Sequence, residues 1–300
     1  LTGVAASEYT IASTSGLLDA KARTWSPELL KALDLPASLF GTVQFPGAQA
    51  GSYQGTPVYL VGAHDTASAV AAVPASNQPG DWAYLSSGTW SLIGAELDQP
   101  VLTPAACEAN FTHEGGVDGK IRFLKNVNGL WLIQECRRRW AEKGQKLSFA
   151  EIAAAAEATP GFTSTIAPND PRFLAPACML EAIAGYCRES GQAVPQTVGD
   201  YARCCYASLA KAYREELDKL AAVTGRKFTR LHIVGGGSQA ELLNQLTADR
   251  CGIPVIAGPT EATAIGNLCL QAQANGQFKD LAAIRQAIAA AFPVKVYQPR

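Results

Sequence analysis

The chain has 300 residues, of which 48% are hydrophobic and 17% are charged, and its formal net charge is -1. This composition is rich enough to bury a large core, and it excludes a disordered chain. The sequence has no basic stripe and no apolar run of bilayer length, which argues against a nucleic-acid-binding surface and a membrane span. No secretory leader pattern is visible. We therefore expect a cytoplasmic protein, and the length is typical of two domains.

The amino-terminal part of the chain is predicted to carry a strand and a short helix before a linker. The apolar run 58–62 predicts a buried strand that ends at Asp65, and the small apolar residues 67–73 predict a closely packed helix. The segment 74–80 is rich in Pro, Gly, Ser and Asn, which is typical of a linker. We place a domain boundary there, between residues 77 and 78.

Beyond this linker, strands and helices alternate. Two strand-like runs on either side of Ser87-Gly88-Thr89 predict a β-hairpin. A hairpin followed by alternating helices and strands predicts an α/β domain with a mixed sheet. Further strands are predicted over 120–124, 231–234 and 254–256, and helices over 129–143, 148–158, 197–224 and 239–250 and from residue 261 onward.

Eight cysteines lie at positions 107, 136, 178, 187, 204, 205, 251 and 269. None forms a CxxC pair or has a histidine at zinc-binding spacing, so the pattern favours buried thiols in a reducing compartment. One alternative stays open. Cys187 and either Cys204 or Cys205 flank a Pro-containing connection and can come close enough to form a disulfide.

Three consecutive glycines, Gly235, Gly236 and Gly237, separate the predicted strand 231–234 from a helix. Glycine lets a ligand approach the backbone, and the following helix offers free N–H groups and a positive dipole end. Such a turn can hold a phosphate or the ribose of a nucleotide, although close helix–strand packing would need the same residues. The pattern is neither G-x-G-x-x-G nor a Walker loop, so it does not support a dinucleotide-binding or P-loop protein.

Two other segments carry polar groups at the ends of predicted strands. Asp65 follows the strand 58–62, and a carboxylate at a strand end can accept a proton from a hydroxyl that attacks phosphorus. Asp is also a good helix cap, and taken alone the pattern favours the cap. The Thr89 hydroxyl and its turn N–H groups can donate to a phosphate oxygen, but taken alone this segment is typical of an ordinary turn.

Taken together, these segments resemble the FGGY family of carbohydrate kinases, and within it the kinases of the ketose L-rhamnulose. The order of the motifs matches, from an acidic strand end through a linker and a Gly-Thr hairpin to a late Gly-Gly-Gly-Ser turn. The resemblance covers essentially the whole chain. The matching segments are Glu8-Tyr-Thr, His64-Asp-Thr-Ala-Ser-Ala-Val, Ser86-Ser-Gly-Thr-Trp-Ser-Leu-Ile-Gly, Asn110-Phe-Thr, Glu114-Gly-Gly-Val-Asp-Gly, Ile121-Arg-Phe-Leu-Lys-Asn, Gly129-Leu-Trp-Leu-Ile-Gln-Glu-Cys-Arg-Arg, Gly235 to Asn244, and Gly258-Pro-Thr-Glu-Ala-Thr-Ala-Ile-Gly-Asn.

The resemblance implies a fold. This is the actin-like, ribonuclease H-like ATPase fold of the sugar kinase type, in which mixed sheets are flanked by helices and a cleft separates two domains. Residues 1–77 would be the carboxyl-terminal part of the first domain. Residues 78–300 would be the nucleotide-binding second domain.

The resemblance also implies a reaction, the ATP-dependent phosphorylation of a small ketose with Mg²⁺ on the ATP phosphates. Asp65 would accept the proton of the sugar's primary hydroxyl, and the metal ligands stay unassigned. The expected ketose ligands are His64, Asp65, Thr66 and Asn126, and the expected ATP ligands are Gly88, Thr89, Gln134, Gly235, Gly236 and Gly237.

Three departures from the family pattern affect these expectations. Ala240 stands where Asn is usual after Gly-Gly-Gly-Ser-Gln, and His113 stands where Asn is common. The acidic, Gly-rich first phosphate loop of the family is missing, and with it part of the sugar site. We therefore expect this chain alone not to phosphorylate sugar efficiently unless another polypeptide supplies that lobe. The surface that the missing lobe would cover is expected to favour homo-oligomers.

Two alternative functions share this fold. The ketose can be fuculose or xylulose, because part of the sugar site lies in the missing segment. The chain can also be a non-catalytic nucleotide or sugar sensor, in which Asp65 is only a helix cap. A Rossmann oxidoreductase, which is a third class, would need a G-x-G-x-x-G turn, and the sequence lacks one.

Overall fold

A computed structural model of the protein describes residues 1–75 and 82–300. The predicted domain boundary between residues 77 and 78 and most of the predicted linker lie outside the described residues. Within the described ranges, no helix is both long enough and apolar enough to cross a membrane.

Short elements make up the amino-terminal segment, residues 1–75. Three strand pairs form there, with β1 parallel to β4, and β2–β3 and β5–β6 antiparallel. In chain order, the elements are β1 (Ser7–Glu8), α1 (Tyr9–Ala12), β2 (Leu18–Asp19), β3 (Thr24–Trp25), α2 (Pro27–Ala32), β4 (Val43–Gln44), β5 (Gln49–Tyr53), β6 (Thr56–Tyr59) and α3 (Asp65–Ala71).

The strand predicted over 58–62 differs from the structure. β6 ends at Tyr59, and within residues 1–75 and 82–300 it pairs with β5 alone. Beyond Tyr59 the backbone bonds of Leu60 go to the turn at residues 47–48, where no strand of the described ranges continues alongside it. Asp65 therefore follows an irregular segment and opens helix α3 rather than ending a strand.

Residues 82–300 form an α/β arrangement with a mixed sheet, as the sequence predicts. A capping box of Thr197 and Asp200 starts its longest helix, and Gly225 ends that helix in the left-handed conformation. The elements are β7 (Trp82–Ser87), β8 (Trp90–Leu97), α4 (Pro104–Glu108), β9 (Thr112–Gly115), β10 (Ile121–Asn128), α5 (Trp131–Glu142), α6 (Phe149–Glu157), α7 (Met179–Glu189), α8 (Val198–Thr224), β11 (Arg230–Val234), α9 (Glu241–Cys251), β12 (Val255–Ala257), α10 (Ala262–Ala274), α11 (Leu281–Ala291) and β13 (Lys295–Tyr297).

A mixed sheet of seven strands, in the order β13-β12-β11-β7-β8-β10-β9, forms the centre of this arrangement. β11 runs parallel to both β7 and β12, and the other neighbours are antiparallel. Alternate residues of β7 enter different cores, since Leu85 packs with α5 and α8 on one face while Tyr84 packs with α3, α10 and α11 on the other. The sheet is therefore buried on both faces, as a helix–sheet–helix sandwich.

Helix α3 is fixed against α10 at very short range. Residues Thr66 to Ala71 of α3 are buried. A Cβ atom on Gly266 of α10 would lie 1.9 Å from the carbonyl oxygen of Ser68, so only glycine permits this approach. This contact confirms the predicted close packing of residues 67–73, and it fixes the helix whose first residue is Asp65.

All eight cysteines are free thiols, of which five are buried and Cys107 is exposed. The thiol of Cys187 lies within interaction range of that of Cys204, whereas the thiol of Cys205 interacts with that of Cys136. Burial raises the pKa of the Cys204 thiol far above its ordinary value. The structure therefore places Cys187 beside Cys204 as a reduced pair.

Candidate active site

Three strands end at one edge of the central sheet. Ser86 of β7 pairs with Val234 of β11 in parallel, and Asn128 at the end of β10 lies opposite Trp90. The hairpin turn after β7 and the glycine turn after β11 are therefore neighbours. This is the edge where α/β folds bind ligands.

The two turns touch through glycine. A Cβ atom on Gly237 would lie 1.9 Å from Oγ of Ser87, and one on Gly235 would lie 2.9 Å from the Ser87 carbonyl oxygen. Gly235 also has a φ of 84°, a left-handed conformation that favours glycine. The turn continues as a short 3-10 segment, Gly236–Gln239, so α9 begins at Glu241 and not at the predicted Gln239.

A polar cavity of about 530 Å³ opens at this edge. It brings together eight of the ten residues that the sequence marked as candidates, although they come from distant parts of the chain. Its lining residues are His64, Asp65, Thr66, Ser86, Ser87, Gly88, Thr89, Trp90, Leu92, Glu114, Asn126, Gly235 and Gly236.

An apolar-walled cavity of about 650 Å³ adjoins it. Gly88 and Gly236 line both cavities and form the neck between them. Gln134 lines the second cavity, as does Ala240, one of the departures from the family pattern. The full lining is Gly88, Leu130, Ile133, Gln134, Phe149, Ala150, Ala153, Ala154, Glu157, Tyr206, Gly236, Gln239, Ala240, Glu241 and Leu242.

Gly237 and His113 lie outside these cavities. Gly237 is buried against Ser87 beneath the turn, so the structure gives it a packing environment and no cavity surface. His113 lies on β9, where its Nε2 atom accepts a hydrogen bond of 2.9 Å from the Val101 N–H. Neither residue is therefore placed to touch a ligand in the two cavities.

Asp65 presents its carboxylate to the polar cavity. The side chain is 77% exposed, and Oδ1 accepts a hydrogen bond of 2.6 Å from the Thr66 N–H. The N-cap position of α3 is His64, and no side chain caps this helix. Asp65 thus stands one residue inside the helix and does not make the bond to the second or third N–H that defines a cap.

His64 is hydrogen-bonded to Arg122, which forms a buried ion pair with Glu114. Nη2 of Arg122, on β10, donates to Nδ1 of His64 at 2.8 Å, and the same Nη2 atom lies 2.9 Å from Oε2 of Glu114. The Arg122 side chain is fully buried. Burial first, and then the Arg122 charge, hold the pKa of His64 below its ordinary value.

Glu8 fixes the segment that leads to Asp65. Its carboxylate is buried and accepts bonds from the N–H groups of Thr10, Ile11 and Ala63 and from the Thr10 hydroxyl. The Thr10 hydroxyl oxygen in turn accepts a bond of 3.1 Å from the His64 N–H. One carboxylate thereby ties the start of the chain to the backbone immediately before Asp65.

The hairpin turn is positioned by α5. The N–H groups of Leu130 and Trp131 donate to the carbonyl oxygens of Gly88 and Thr89. The Gly88 N–H donates to the Trp90 carbonyl oxygen within the turn. The Thr89 hydroxyl donates to Oε1 of Gln134 at 3.2 Å, which joins the turn to the side of the second cavity.

Residues Glu8, Glu114 and Arg122 form part of the site, although the sequence analysis gave them no role. One sequence feature marks Arg122, because it interrupts the apolar run Ile121-Arg-Phe-Leu of a buried strand. A charge in such a run needs a partner. The sequence does not show where that partner lies.

Among the described residues, no group of three or more His, Cys, Asp or Glu side chains is placed to hold a metal ion. The lining of the two cavities in this part of the chain includes no Lys or Arg. Mg²⁺ in phosphoryl-transfer sites is commonly bound by one or two carboxylates together with substrate phosphates. The described residues therefore assign no metal ligand.

Comparison with known proteins identifies the family of the chain. The model of the FGGY family of carbohydrate kinases, C-terminal domain, matches residues 83–275. Rhamnulokinase of Bacteroides thetaiotaomicron is 47% identical over the whole chain, that of Enterococcus faecalis is 46% identical over 99% of it, and that of Bacillus subtilis is 41% identical over the whole chain. The chain belongs to the FGGY family of carbohydrate kinases. It spans 62–63% of the length of these three relatives.

Solved structures establish the fold. Xylulose kinase from Lactobacillus acidophilus superposes with a TM-score of 0.76 at 18% identity, covering 100% of this chain and 61% of that one. Glycerol kinase from Plasmodium falciparum, solved with ADP, gives 0.71 at 14% identity, covering 99% and 60%. The predicted fold class, the actin-like ATPase fold of sugar kinases, is confirmed.

Proposed function

We propose that this chain carries the nucleotide site and the proton acceptor of a kinase that phosphorylates L-rhamnulose at its 1-hydroxyl with ATP. The observation that carries the proposal is an exposed carboxylate, Asp65, in a polar cavity that opens through two glycines into an apolar-walled cavity. The choice of ketose is supported by 41–47% identity to proteins named rhamnulokinase.

In the proposed reaction, Asp65 accepts the proton of the sugar hydroxyl while that oxygen attacks the γ-phosphorus. The new O–P bond forms as the bond to the β-phosphate oxygen breaks, and ADP leaves. A carboxylate suits this task when it is exposed to the substrate and free of a strong cation partner. Asp65 meets both conditions among the described residues, since its side chain is 77% exposed and its oxygens contact Thr66 and, at 3.9 Å, His64.

The nucleotide is proposed to place its base in the apolar-walled cavity and its phosphates at the neck. Leu130, Ile133 and Tyr206 offer apolar contacts, which suit a purine. Gly236 leaves room for phosphate oxygens, because no atom lies within 4 Å of the position that a Cβ would take. The cavities lack Lys and Arg in the described part of the chain, so we propose MgATP as the bound form, with Mg²⁺ supplying the countercharge.

The remaining candidate residues fall into two proposed groups. His64, Thr66 and Asn126 would hold the ketose, and Thr89, Gln134 and Gly235 would join Gly88 and Gly236 around the nucleotide. The division into residues 1–77 and 78–300 as parts of two domains also remains a proposal, and so do the cytoplasmic location and a homo-oligomer.

An activity assay with the Asp65→Asn variant tests this function. ADP release is measured with L-rhamnulose, L-fuculose and D-xylulose, both for this chain and for a chain extended at its amino terminus to the length of the relatives. Asn keeps the bond from the Thr66 N–H, so the fold is retained, but it cannot accept the proton. We expect kcat to fall by roughly 10²–10⁴-fold with little change in the KM for ATP.

Each outcome has a distinct meaning. Turnover with another ketose would retain the mechanism and change the substrate. Nucleotide binding without turnover on any ketose would favour a sensor. Full activity of Asp65→Asn would show that this carboxylate is not the proton acceptor.

A further inference from the structure

The side chain of Arg122 is a fully buried charge that contacts His64, a residue of the polar cavity wall. Burying a guanidinium is costly unless its donors are satisfied. Nε donates to the Gly115 carbonyl oxygen at 2.8 Å and Nη2 donates to Nδ1 of His64 at 2.8 Å, whereas Nη1 has no hydrogen-bond partner among the described residues. Glu114 supplies the opposite charge at 2.9 Å. Arg122 therefore reaches the cavity wall through two residues, His64 and Glu114, and its contact with the imidazole is a hydrogen bond.

This bond determines where His64 carries its proton. The Arg122 guanidinium can only donate, so Nδ1 must present a lone pair. A proton on Nδ1 would place two N–H groups face to face at 2.8 Å. Glu114 is the competing acceptor for an Nδ1 proton, but Oε2 lies farther away, at 3.3 Å. A neutral His64 with its proton on Nε2 satisfies these contacts.

We propose that Arg122 is a positioning residue that holds His64 in the neutral Nε2–H tautomer, so that this N–H donates into the polar cavity beside Asp65. Nε2 lies 3.9 Å from Oδ1 of Asp65, on the side of the ring opposite Arg122. An oxygen placed near both groups would accept from His64 and donate its own proton to Asp65. Under the proposed function, on which this part rests, that oxygen belongs to the ketose.

The charges around the ring agree with a neutral state. Arg122 opposes protonation of His64, while Glu114, Asp65 and Glu8 favour it. Burial adds to the effect of Arg122 and outweighs the three carboxylates, so the pKa of His64 is lowered. Removing Arg122 would leave the carboxylates unopposed, and both the tautomer and the pKa would change together.

Nitrogen NMR of the ¹⁵N-histidine-labelled chain tests the tautomer without any substrate. The chain has three histidines, and substitutions at His113 and His232 assign them. His113 is an internal control of opposite tautomer, because its Nε2 accepts a bond from Val101 and its proton must lie on Nδ1. We expect His64 to show an unprotonated Nδ1 and a protonated Nε2 at neutral pH. A protonated Nδ1 or a tautomer mixture would overturn the proposal.

Two substitutions separate a positioning role from mere structure. In Arg122→Met, the proton of His64 should move to Nδ1 and bond to Glu114, and the His64 pKa should rise. In Glu114→Gln, the bond from Arg122 remains, so the tautomer should stay unchanged while the pKa falls further. Glu114→Gln also serves if Arg122→Met does not fold. An unchanged tautomer in a folded Arg122→Met variant, or a switched one in Glu114→Gln, would contradict the assignment.

The kinetic consequence is measured on the extended chain. Loss of one hydrogen bond to the bound ketose corresponds to roughly tenfold in affinity, so Arg122→Met should raise the KM for the ketose about tenfold. The KM for ATP should not change. If the NMR result is as expected but no ketose is phosphorylated, the proposed function fails and the tautomer assignment stands. An unchanged KM for the ketose would remove the role in binding.

Discussion

At the scale of single residues, adjacent glycines in the turn after β11 have different physical reasons to be glycine. Gly237 is packed against Ser87, and any side chain would collide with it. Gly236 has open space in front of it, at the neck that joins the two cavities. Sequence alone left ligand binding and tight packing as alternatives for this turn. The structure assigns tight packing to Gly237 and leaves the neck surface to Gly236.

This difference predicts opposite effects of neighbouring substitutions. Gly236→Val should fold normally but fill the neck, and we expect the Kd for MgADP to rise at least about tenfold, or about 1.4 kcal/mol. Gly237→Ala should instead lower the free energy of unfolding by about 1–3 kcal/mol through overpacking. Calorimetric titration and urea unfolding measure the two effects.

Gly161→Val is the matched control for this pair. Gly161 also has nothing within 4 Å of its Cβ position, but it lines neither cavity. The Gly161→Val substitution should change neither the Kd for MgADP nor the free energy of unfolding by much. Normal MgADP binding by Gly236→Val would show that phosphates do not pass through the neck.

At the scale of elements, the parts of the fold that follow from local sequence were predicted well. The capping residues Thr197 and Gly225 define the limits of α8, and the Gly-Thr turn defines the β7–β8 hairpin. β6 was misjudged, because an apolar run becomes a strand only where a neighbouring strand continues beside it. Whether one exists depends on distant segments, which a local pattern does not contain.

Helix α3 positions Asp65, so its contact with α10 should control both stability and catalysis. Gly266→Ala would place a Cβ 1.9 Å from the Ser68 carbonyl oxygen and force the helices apart. We expect the free energy of unfolding to fall by about 1–3 kcal/mol and kcat of the extended chain to fall with it. Thermal unfolding and the ADP-release assay measure the two changes.

The same substitution at Gly185, on α7, should raise the free energy of unfolding instead of lowering it. The atom nearest to its Cβ position is Oε1 of Glu189, at 3.8 Å, which is an ordinary contact. Gly185→Ala should therefore stabilise the protein by roughly 0.5–1 kcal/mol through helix propensity. If Gly266→Ala were equally harmless, the α3–α10 spacing would not depend on this glycine.

At the scale of the whole molecule, the site depends on contacts between segments far apart in the chain. Glu8 bonds to the backbone of Ala63, 55 positions later, and Arg122 bonds to His64 across 58 positions. The resemblance to a family marked His64 and Asp65 as site residues because they lie in a recognisable motif. It gave no role to Glu8 and Arg122, since the partner that explains each of them is visible only after folding.

The most buried histidine, His232 on β11, links the stability of the whole fold to pH. Both of its ring nitrogens lack a hydrogen-bond partner among the described residues. The centroid of its ring lies 5.8 Å from that of Trp82, and the two rings are nearly perpendicular. Burial, followed by the charges of Arg230 and Arg285, lowers the pKa of His232 to about 3. In the unfolded chain the pKa returns to about 6.5. Between these two values, the unfolded state binds a proton that the folded state does not.

The free energy of unfolding should therefore fall as the pH drops below about 6.5, and this one group should contribute about 1.4 kcal/mol per pH unit until the pH approaches its folded pKa. Between pH 6.5 and pH 5 the loss amounts to about 1.7 kcal/mol. His232→Leu, which keeps an apolar side chain against Trp82, should remove this part of the slope, whereas His113→Gln should retain it. Urea unfolding at a series of pH values measures the difference. An equal slope in wild type and His232→Leu would mean that His232 is protonated or hydrated within the fold, in conflict with its buried position at the centre of the sheet.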